Sequence, residues 1–176
     1  AEALFCEYNP GGKLPVTFHR GVEDLPHLGD YDITRGRTYW FYEGDVLYPF
    51  GYGLSYTGFS YQNLTLDRTA FDSSNPQLQV SIDVENTGSV KGDEVVQLYI
   101  RDLESEQVQA IRKLREFRRI ALEAGEKQTV TFSLDRDDFS FWSEERKDWL
   151  VEEGDFELLI GSSSEDIRLT QTITAQ

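Results

Sequence analysis

The stretch LQVSIDVENTG, residues 78–88, decides the fold class. Every second position in it is apolar, namely Leu78, Val80, Ile82 and Val84. Successive side chains of a β-strand point to opposite faces, so this alternation predicts a strand with one face against a core and the other in solvent. The closing Asn-Thr-Gly triplet is a turn signal. We therefore expect a sheet with one apolar face.

The same period recurs through the rest of the chain after residue 58. It predicts further strands at FSYQNLTL (59–66), VVQLYI (95–100), QTVTFSL (128–134), FELLIG (156–161) and IRLTQTI (167–173). Six or seven short strands separated by turns are typical of an immunoglobulin-like or fibronectin type III-like domain. The expected fold class is therefore mainly β, an antiparallel two-sheet sandwich, although the cysteine pair of antibody domains is missing.

Two connections between these strands carry their own expectations. The best helical candidate is ESEQVQAIRKL (104–114), which can equally be a long polar connection because its apolar period is weak. FWSEERKDWL (141–150) fits a hairpin with the tip EERK and with Phe141, Trp142, Trp149 and Leu150 on its two legs.

Residues 1–57 differ from the rest, because they hold most of the glycines and prolines and alternate only in KLPVTF (13–18). The stretch YPFGYGLSYTGFSY (48–61) combines six aromatic rings with three glycines. Glycine lets the backbone turn sharply, and rings are strong anchors on a neighbouring surface. A segment so rich in turns cannot easily bury its own apolar side chains, so we expect it to lie against another surface.

Composition excludes several classes of partner. Seventeen basic and 32 acidic residues give a formal net charge of −15, which repels nucleic acid and anionic lipid but leaves neutral sugars unaffected. No apolar run has the length that a membrane-spanning helix needs. Cys6, His19 and His27 have no metal-ligand spacing, so neither a metal nor another cofactor is expected.

Five blocks in order resemble one family. They are GGKLPVTF (11–18), GRTYWFYEGDVLYPFGYGLSYTGFSY (36–61), VSIDVENTGSVKGDEVVQLYIRD (80–102), LREFRRIALEAGEKQTVTFSLDRDDFSFW (114–142) and VEEGDFELLIGSSSEDIRL (151–169). Together they are similar to the C-terminal end of family-3 glycoside hydrolases, the β-glucosidases and β-xylosidases. Ordered blocks of this length are far more specific than a single short motif.

The resemblance implies a division of labour. In that family a barrel domain carries an aspartate nucleophile, an α/β sandwich domain supplies the glutamate acid/base in many members, and a fibronectin type III-like domain often follows. Residues 1–57 then correspond to the tail of the α/β sandwich domain and its connecting segment, and residues 58–176 to the fibronectin-like domain. The implied partners are the catalytic barrel and the α/β sandwich domain, and the chain is expected to be inactive alone.

No catalytic residue is assigned within the chain. Asp30 and Asp32, and Glu43 and Asp45, form carboxylate pairs in polar, glycine-rich loops, where a solvated acid is the usual case. Retaining hydrolysis needs two carboxyl groups roughly 5 Å apart across the glycosidic bond, and neither pair matches the family's context. The compartment stays open between cytoplasmic and secreted or periplasmic.

The aromatic residues provide the site candidates. We expect a domain interface at Tyr48, Phe50, Tyr52, Tyr56 and Phe59. Stacking on a sugar is the alternative for these rings, and Trp40 and Tyr42 are the candidates for the rim of a substrate cleft.

Two further patterns have simple interpretations. The basic cluster at Arg112, Lys113, Arg115, Arg118 and Arg119 fits the solvated edge of a strand or a partner for the acidic runs SEE and VEEGD better than an anion site. NLT at 63–65 is a glycosylation sequon, usable only in a glycosylating organism.

Three functions remain open from the sequence. The leading one is an accessory part of a β-glycosidase, which predicts exposed apolar surface on residues 1–57. The second is an independent polysaccharide- or protein-binding module that uses exposed rings such as Trp142 and Trp149. The third is a complete subunit that pairs with a separately encoded barrel.

Overall fold

The computed structural model describes residues 2–5, 7–105 and 107–176. Cys6 lies outside the described residues. The strands, in chain order, are β1 (Phe18–His19), β2 (Val46–Tyr48), β3 (Phe59–Leu66), β4 (Ala70–Phe71), β5 (Leu78–Asn86), β6 (Gly92–Asp102), β7 (Lys113–Leu122), β8 (Lys127–Leu134), β9 (Phe141–Ser143), β10 (Asp148–Leu150), β11 (Gly154–Gly161) and β12 (Ile167–Ala175). The helices are α1 (Thr38–Phe41), α2 (Arg136–Phe139) and a 3₁₀ turn at Val22–Asp24.

Seven long strands build a sandwich of two sheets. One sheet has the order β3-β5-β8 and the other β4-β12-β11-β6-β7. All neighbours pair antiparallel except the short β4, which runs parallel to β12 at one edge. The expected mainly β, antiparallel sandwich is confirmed.

The apolar alternation places the core between the sheets. Along β5 the residues from Leu78 onward alternate between buried and more exposed, as the period predicts. Both sheets contribute fully buried side chains, namely Val80, Ile82, Val84, Val96, Leu98, Leu122, Leu158 and Ile160. Burial of such side chains is the main stabilising term of this part of the molecule.

Strand β7 is the basic edge of the larger sheet. It pairs with β6 on one side only, and Arg118 and Arg119 are exposed on it. Arg119 binds the carboxylate of Asp93 on the neighbouring strand. The predicted solvated strand edge therefore describes Arg118 and Arg119, whereas Arg112, Lys113 and Arg115 are only half-exposed. The described ion pairs do not join Arg118 or Arg119 to the acidic runs SEE and VEEGD. Charged side chains on an edge oppose pairing with other sheets.

The connections agree with the sequence. The described residues between β6 and β7, which leave out residue 106, contain no helix, so residues 104–105 and 107–112 are a connection that leads into β7. β9 and β10 form the predicted hairpin, in which Trp142 pairs with Trp149 and Phe141 with Leu150. Helix α2 precedes it, and the Asp135 carboxylate caps that helix by accepting from the Asp137 amide.

Residues 1–57, called the segment from here on, precede the sandwich and have little regular structure. Its described residues form only β1, β2, α1 and the 3₁₀ turn, and β1 pairs with β2 through two residue pairs. Among its described residues up to 57, only Gly11 and Gly51 are buried. The segment therefore has no core of its own.

The described residues form neither a membrane-spanning helix nor a metal-binding cluster. No helix there combines the length and the apolar character of a membrane span. No cluster of three His, Cys, Asp or Glu side chains there is arranged to hold a metal ion.

Candidate domain-junction site

The junction between the segment and the sandwich lies on the outer face of β6. Val96, Leu98 and Ile100 point into the core, so Gln97 and Tyr99 point away from it. Both are nevertheless buried, because residues 38–52 of the segment cross over them. β6 is therefore covered on both faces. In a sandwich of two antiparallel sheets the outer face of a strand can face water, so this cover is an additional contact.

Tyr99 is enclosed by aromatic rings. The Tyr39 ring meets it edge-on with 5.9 Å between centroids, and Phe50 stacks on Tyr39 at 4.3 Å. The Leu114 amide of β7 donates to the Tyr39 hydroxyl at 3.1 Å, which fixes that ring against the sheet. Burial raises the pKa of Tyr99 far above its ordinary value, so its hydroxyl stays neutral and donates to the Gln97 side-chain oxygen.

Gln97 links the segment to the sandwich through its amide group. Its nitrogen donates to the Ser162 carbonyl at 2.6 Å and to the Gly51 carbonyl at 3.3 Å. The Ser164 amide donates to the Phe50 carbonyl at 2.9 Å beside it. The Gln97 amide is buried, and both its donor and its acceptor have hydrogen-bond partners. Separation of the segment from the sheet would leave these polar atoms without partners in a buried site, which is unfavourable, so the contact is rigid.

Gly51 explains the glycines among the rings. Its φ is +80°, a left-handed conformation that favours glycine, and an added Cβ would collide with the Gln97 amide. Gly53 lies so close to the Gly12 carbonyl that it has no room for a side chain either. The glycines let the backbone reach the sheet, and the neighbouring rings then fill the space around it.

A second contact anchors the start of the segment. The Lys13 ammonium lies 3.2 Å from the carboxylate of Glu94, which is 4% exposed. The Tyr61 hydroxyl donates to the same carboxylate oxygen at 3.1 Å, and the Arg168 guanidinium covers the Tyr61 ring at 4.7 Å. Burial is the main cause that raises the pKa of Tyr61 well above its ordinary value. A buried carboxylate needs such partners.

Asn9 makes a third contact next to the ion pair. Its side-chain oxygen accepts from the Tyr56 amide at 2.8 Å and from the Ser55 hydroxyl at 3.0 Å. Its side-chain nitrogen donates to the Lys91 carbonyl at 2.8 Å. One asparagine therefore ties together two parts of the segment and the turn before β6.

The five residues predicted at a domain interface have different surroundings. Phe50 stacks in the junction, and Phe59 packs against the sandwich core. Tyr48 and Tyr52 face each other at 5.1 Å within the segment. Tyr56 is exposed, and its hydroxyl donates to the carbonyl of Ala3 at 2.5 Å. Their role at a contact with other domains stays a prediction.

Trp40 and Tyr42, the candidates for a cleft rim, lie on the segment. The Trp40 carbonyl accepts from the Ile111 amide at 2.7 Å, and the Lys113 ammonium lies 5.5 Å from the Trp40 ring centre. Burial lowers the pKa of Lys113. Tyr42 meets the His19 ring edge-on at 4.5 Å. The rim role stays a prediction for both rings.

Trp40 also lines an apolar cavity of about 430 Å³. Val16, Ile33, Tyr39 and Phe50 contribute to its walls. The buried side-chain oxygen of Thr17, which also lines it, has no hydrogen-bond partner among the described residues. An apolar hollow with an unpaired polar atom is suited to receive further protein atoms.

The carboxylates of the loops support local structure. Asp30 accepts from the Asp32 amide and from Arg35, and Asp32 accepts from the Thr34 amide and hydroxyl. The hydrogen bond from the Thr34 hydroxyl is the main cause that holds the pKa of Asp32 below its ordinary value, which keeps it ionised. Glu43 and Asp45 are exposed. These are the properties of solvated loop acids.

Sequence reasoning missed Gln97, Tyr99, Tyr39 and Glu94. A signal for the first two was available, because VVQLYI is a nearly continuous apolar run rather than a strict alternation. Such a run indicates a strand that is buried on both faces. No comparable signal marks Glu94, whose partner Lys13 is distant in the sequence.

Two family models match the chain. The model of the glycosyl hydrolase family 3 C-terminal domain matches residues 1–56. The model of the fibronectin type III-like domain matches residues 94–164. The first match ends in the glycine- and ring-rich stretch, and the second runs from β6 to the turn after β11.

Individual glycosidases are similar to the chain over nearly its whole length. The chain is 38% identical to the thermostable beta-glucosidase B of Acetivibrio thermocellus, with 98% of this chain and 24% of that protein covered. It is 41% identical to a xylan 1,4-beta-xylosidase of Xylanibacter ruminicola, with 99% and 20% covered. The solved structure of a β-glucosidase from Erythrobacter marinus is 40% identical in sequence and has a TM-score of 0.85. The match includes all of this chain and 23% of that protein.

The chain spans about a quarter of the length of these relatives or less. The aligned part carries both the segment and the sandwich. The chain therefore belongs to the family-3 glycoside hydrolases, as the C-terminal part of proteins of the β-glucosidase and β-xylosidase type.

Proposed function

We propose that this chain is the accessory C-terminal part of a β-glycosidase that hydrolyses terminal β-linked glucose or xylose units. In this proposal residues 1–57 are the tail of the α/β sandwich domain and residues 58–176 the fibronectin-like domain. The chain packs on the α/β sandwich domain and the catalytic barrel, stabilises them and has no turnover alone.

The observation that carries the proposal is the exposed apolar surface of the segment. The exposure predicted for residues 1–57 is confirmed for 14 large apolar side chains, namely Leu4, Phe5, Tyr8, Val16, Phe18, Val22, Leu25, Leu28, Tyr31, Ile33, Leu47, Tyr48, Leu54 and Tyr56. The described residues after 57 expose only six such side chains. A surface this apolar marks a contact with other protein.

The conformational entropy that the segment loses when it becomes ordered supports the same proposal. Fixing the backbone of one residue opposes folding by about 1–2 kcal/mol, and burial of apolar surface has to offset this. The described residues before 58 bury only two glycines. A second surface that covers Leu28, Tyr31 and their neighbours supplies the missing stabilisation.

A chimera tests the proposal. The region of beta-glucosidase B from Acetivibrio thermocellus that aligns with this chain is replaced by the chain, and the control is the same enzyme truncated before that region. We expect the chimera to hydrolyse aryl β-glucosides and to melt well above the truncated enzyme. A truncated enzyme as active and as stable as the intact one would contradict an accessory stabilising role.

The chain alone provides the complementary assay. Purified at high concentration, it should not hydrolyse aryl β-glucosides or β-xylosides from acid to neutral pH. Activity that copurifies with the chain and disappears in Asp30→Asn, Asp32→Asn, Glu43→Gln or Asp45→Asn would overturn the proposal that this part is only accessory.

A further inference from the structure

Two indole rings lie exposed on the β9–β10 hairpin. Trp142 and Trp149 are direct cross-strand neighbours, with 5.9 Å between ring centres and 71° between ring planes. Their exposed fractions are 42% and 54%. Phe141 and Ser143, on the other face of the hairpin, are 7% and 2% exposed. Packing on the core therefore explains Phe141 and Ser143 but leaves the two indoles outside.

Hydrogen bonds hold the Trp142 ring and the Trp149 backbone in place. The Trp142 indole N–H donates to the Glu144 carboxylate at 3.0 Å, and the Arg136 guanidinium donates to the Trp149 carbonyl at 2.8 Å. A ring already fixed before binding loses little conformational freedom when a ligand stacks on it. Tryptophan also offers a large contact area for few rotatable bonds.

The charges around the rings disfavour a protein partner. Residues 144–148 at the hairpin tip are all charged and exposed. The cores of protein interfaces are depleted of charged residues, and a stable one buries about 1,200 Å² or more. Two indoles beside five charged residues do not resemble such a core.

The same charges favour a neutral, hydroxylated ligand. The Lys147 ammonium and the Glu144 carboxylate form an ion pair at 2.5 Å, and the chain carries a formal net charge of −15. An anionic polymer is therefore repelled. A pyranose ring presents C–H groups that are attracted to the negative face of an indole, and its hydroxyls can bond to the surrounding carboxylates.

We propose that Trp142 and Trp149 form a binding site for a neutral glycan chain on the sandwich. One indole stacks on a sugar ring, and the other, nearly perpendicular, borders its edge. The choice of β-linked glucan and xylan as probes rests on the proposed function, whereas the site itself follows from the hairpin.

Indole N–H signals in a heteronuclear NMR spectrum of the complete 176-residue chain test the site. The chain has three tryptophans, and the third, Trp40, lies on helix α1 of the segment and not on the hairpin. Each signal is assigned by a single Trp→Phe variant. We expect cellohexaose or xylohexaose to shift the Trp142 and Trp149 signals in a saturable way, with a dissociation constant of about 1 mM or below, and to leave Trp40 unchanged.

Variants separate stacking from other effects. Trp149→Ala and Trp142→Ala should each weaken binding roughly tenfold or more, and Trp149→Phe should retain part of it because a ring remains. The matched control is Phe117→Ala, which removes an exposed ring from β7 without touching the hairpin. Circular dichroism and the melting temperature show whether each variant is folded.

Three results would overturn the proposal. The first is no shift of either hairpin indole with up to about 10 mM of cellohexaose or of xylohexaose, which means an affinity too weak to matter. The second is binding that shifts Trp40 alone. The third is a gain of solvent protection at the two indoles in the chimera without any saccharide effect in the chain alone, which would assign the rings to a protein contact. Because the test needs no turnover, its failure is distinguishable from failure of the proposed function.

Discussion

The sandwich and the segment before it are both rich in apolar side chains, yet only the sandwich buries them. In β5 and β11 the apolar residues repeat with the strand period, and each sheet covers the other. In the segment, Leu28 and Tyr31 are almost fully exposed because nothing in the described chain covers them. The difference teaches that apolar content gives a stable core only where the chain supplies a second surface.

The junction shows how the two regions are joined. Gln97 and Tyr99 belong to the sandwich but are buried by the segment, and Lys13 belongs to the segment but is paired with the buried Glu94. Part of the segment is therefore fixed by the sandwich, and the remainder presents its apolar side toward solvent. The following predictions test this contrast, from the largest expected effect to the smallest.

Leucine-to-alanine substitutions should separate the two regions most clearly. Leu158 is completely buried, so Leu158→Ala should lower the free energy of unfolding by about 2–5 kcal/mol through lost burial and a new cavity. Leu28→Ala is the matched control, since Leu28 is 89% exposed and the change should fall within about 0.5 kcal/mol. Urea unfolding measures both, and comparable effects would contradict the contrast.

Loss of Lys13 should be the next largest effect. Lys13→Met leaves the Glu94 carboxylate buried with only Tyr61 as a described side-chain partner, so we expect a loss of about 3 kcal/mol. Lys91→Met removes a lysine from the exposed pair with Glu123 and should leave stability unchanged. Adding Glu94→Gln to Lys13→Met should recover part of the loss, and a strictly additive double mutant would contradict the pairing.

Gly51 tests the junction at the backbone. Gly51→Ala should destabilise by about 1–3 kcal/mol, because the alanine combines a left-handed φ with a collision against Gln97. Gly125→Ala is the matched control, since its φ is +75° but no atom lies within 4 Å of the added Cβ. Hydrogen exchange should show faster opening of residues 38–52 in Gly51→Ala only. Equal behaviour of the two variants would mean that strain alone matters.

Asp166 provides a smaller effect that depends on pH. The Arg168 hydrogen bond is the main cause that holds the pKa of Asp166 below the ordinary value of 3.8. A folded-state pKa below the unfolded one stabilises the fold above 3.8, and this contribution disappears as the pH falls through the folded pKa.

We therefore expect Asp166→Asn to be less stable than the wild type at pH 6, with a difference that shrinks at more acid pH. Thermal unfolding across this range measures it. Glu145→Gln at the exposed hairpin tip controls for the change in net charge. A difference that does not vary with pH would contradict the role of the ion pair.

Much of the sandwich could be predicted from the sequence, because its information is local. The alternation in residues 78–84 fixes which side chains face the core, and the tip EERK fixes the hairpin. Strand β7 was harder to recognise, since a basic edge strand has little apolar alternation.

The junction could be predicted only in part. Glycines among rings indicated a close contact at residues 48–61, and the structure places Phe50 and Gly51 on the sheet. The pairing of Lys13 with Glu94 and the cover over Gln97 depend on contacts between residues far apart in the sequence, and no local pattern encodes them. The short helix α1 lies where no helical period was visible.

Hydrogen exchange of residues 16–47 tests the central claim most directly. In the chain alone, amides of this stretch should exchange much faster than those of β5, β6 and β11. In the chimera with the catalytic domains of the Acetivibrio thermocellus relative, their protection should rise at least about tenfold while the sandwich strands stay the same. An active chimera in which these amides exchange as fast as in the chain alone would contradict the claim that this surface is made to be covered.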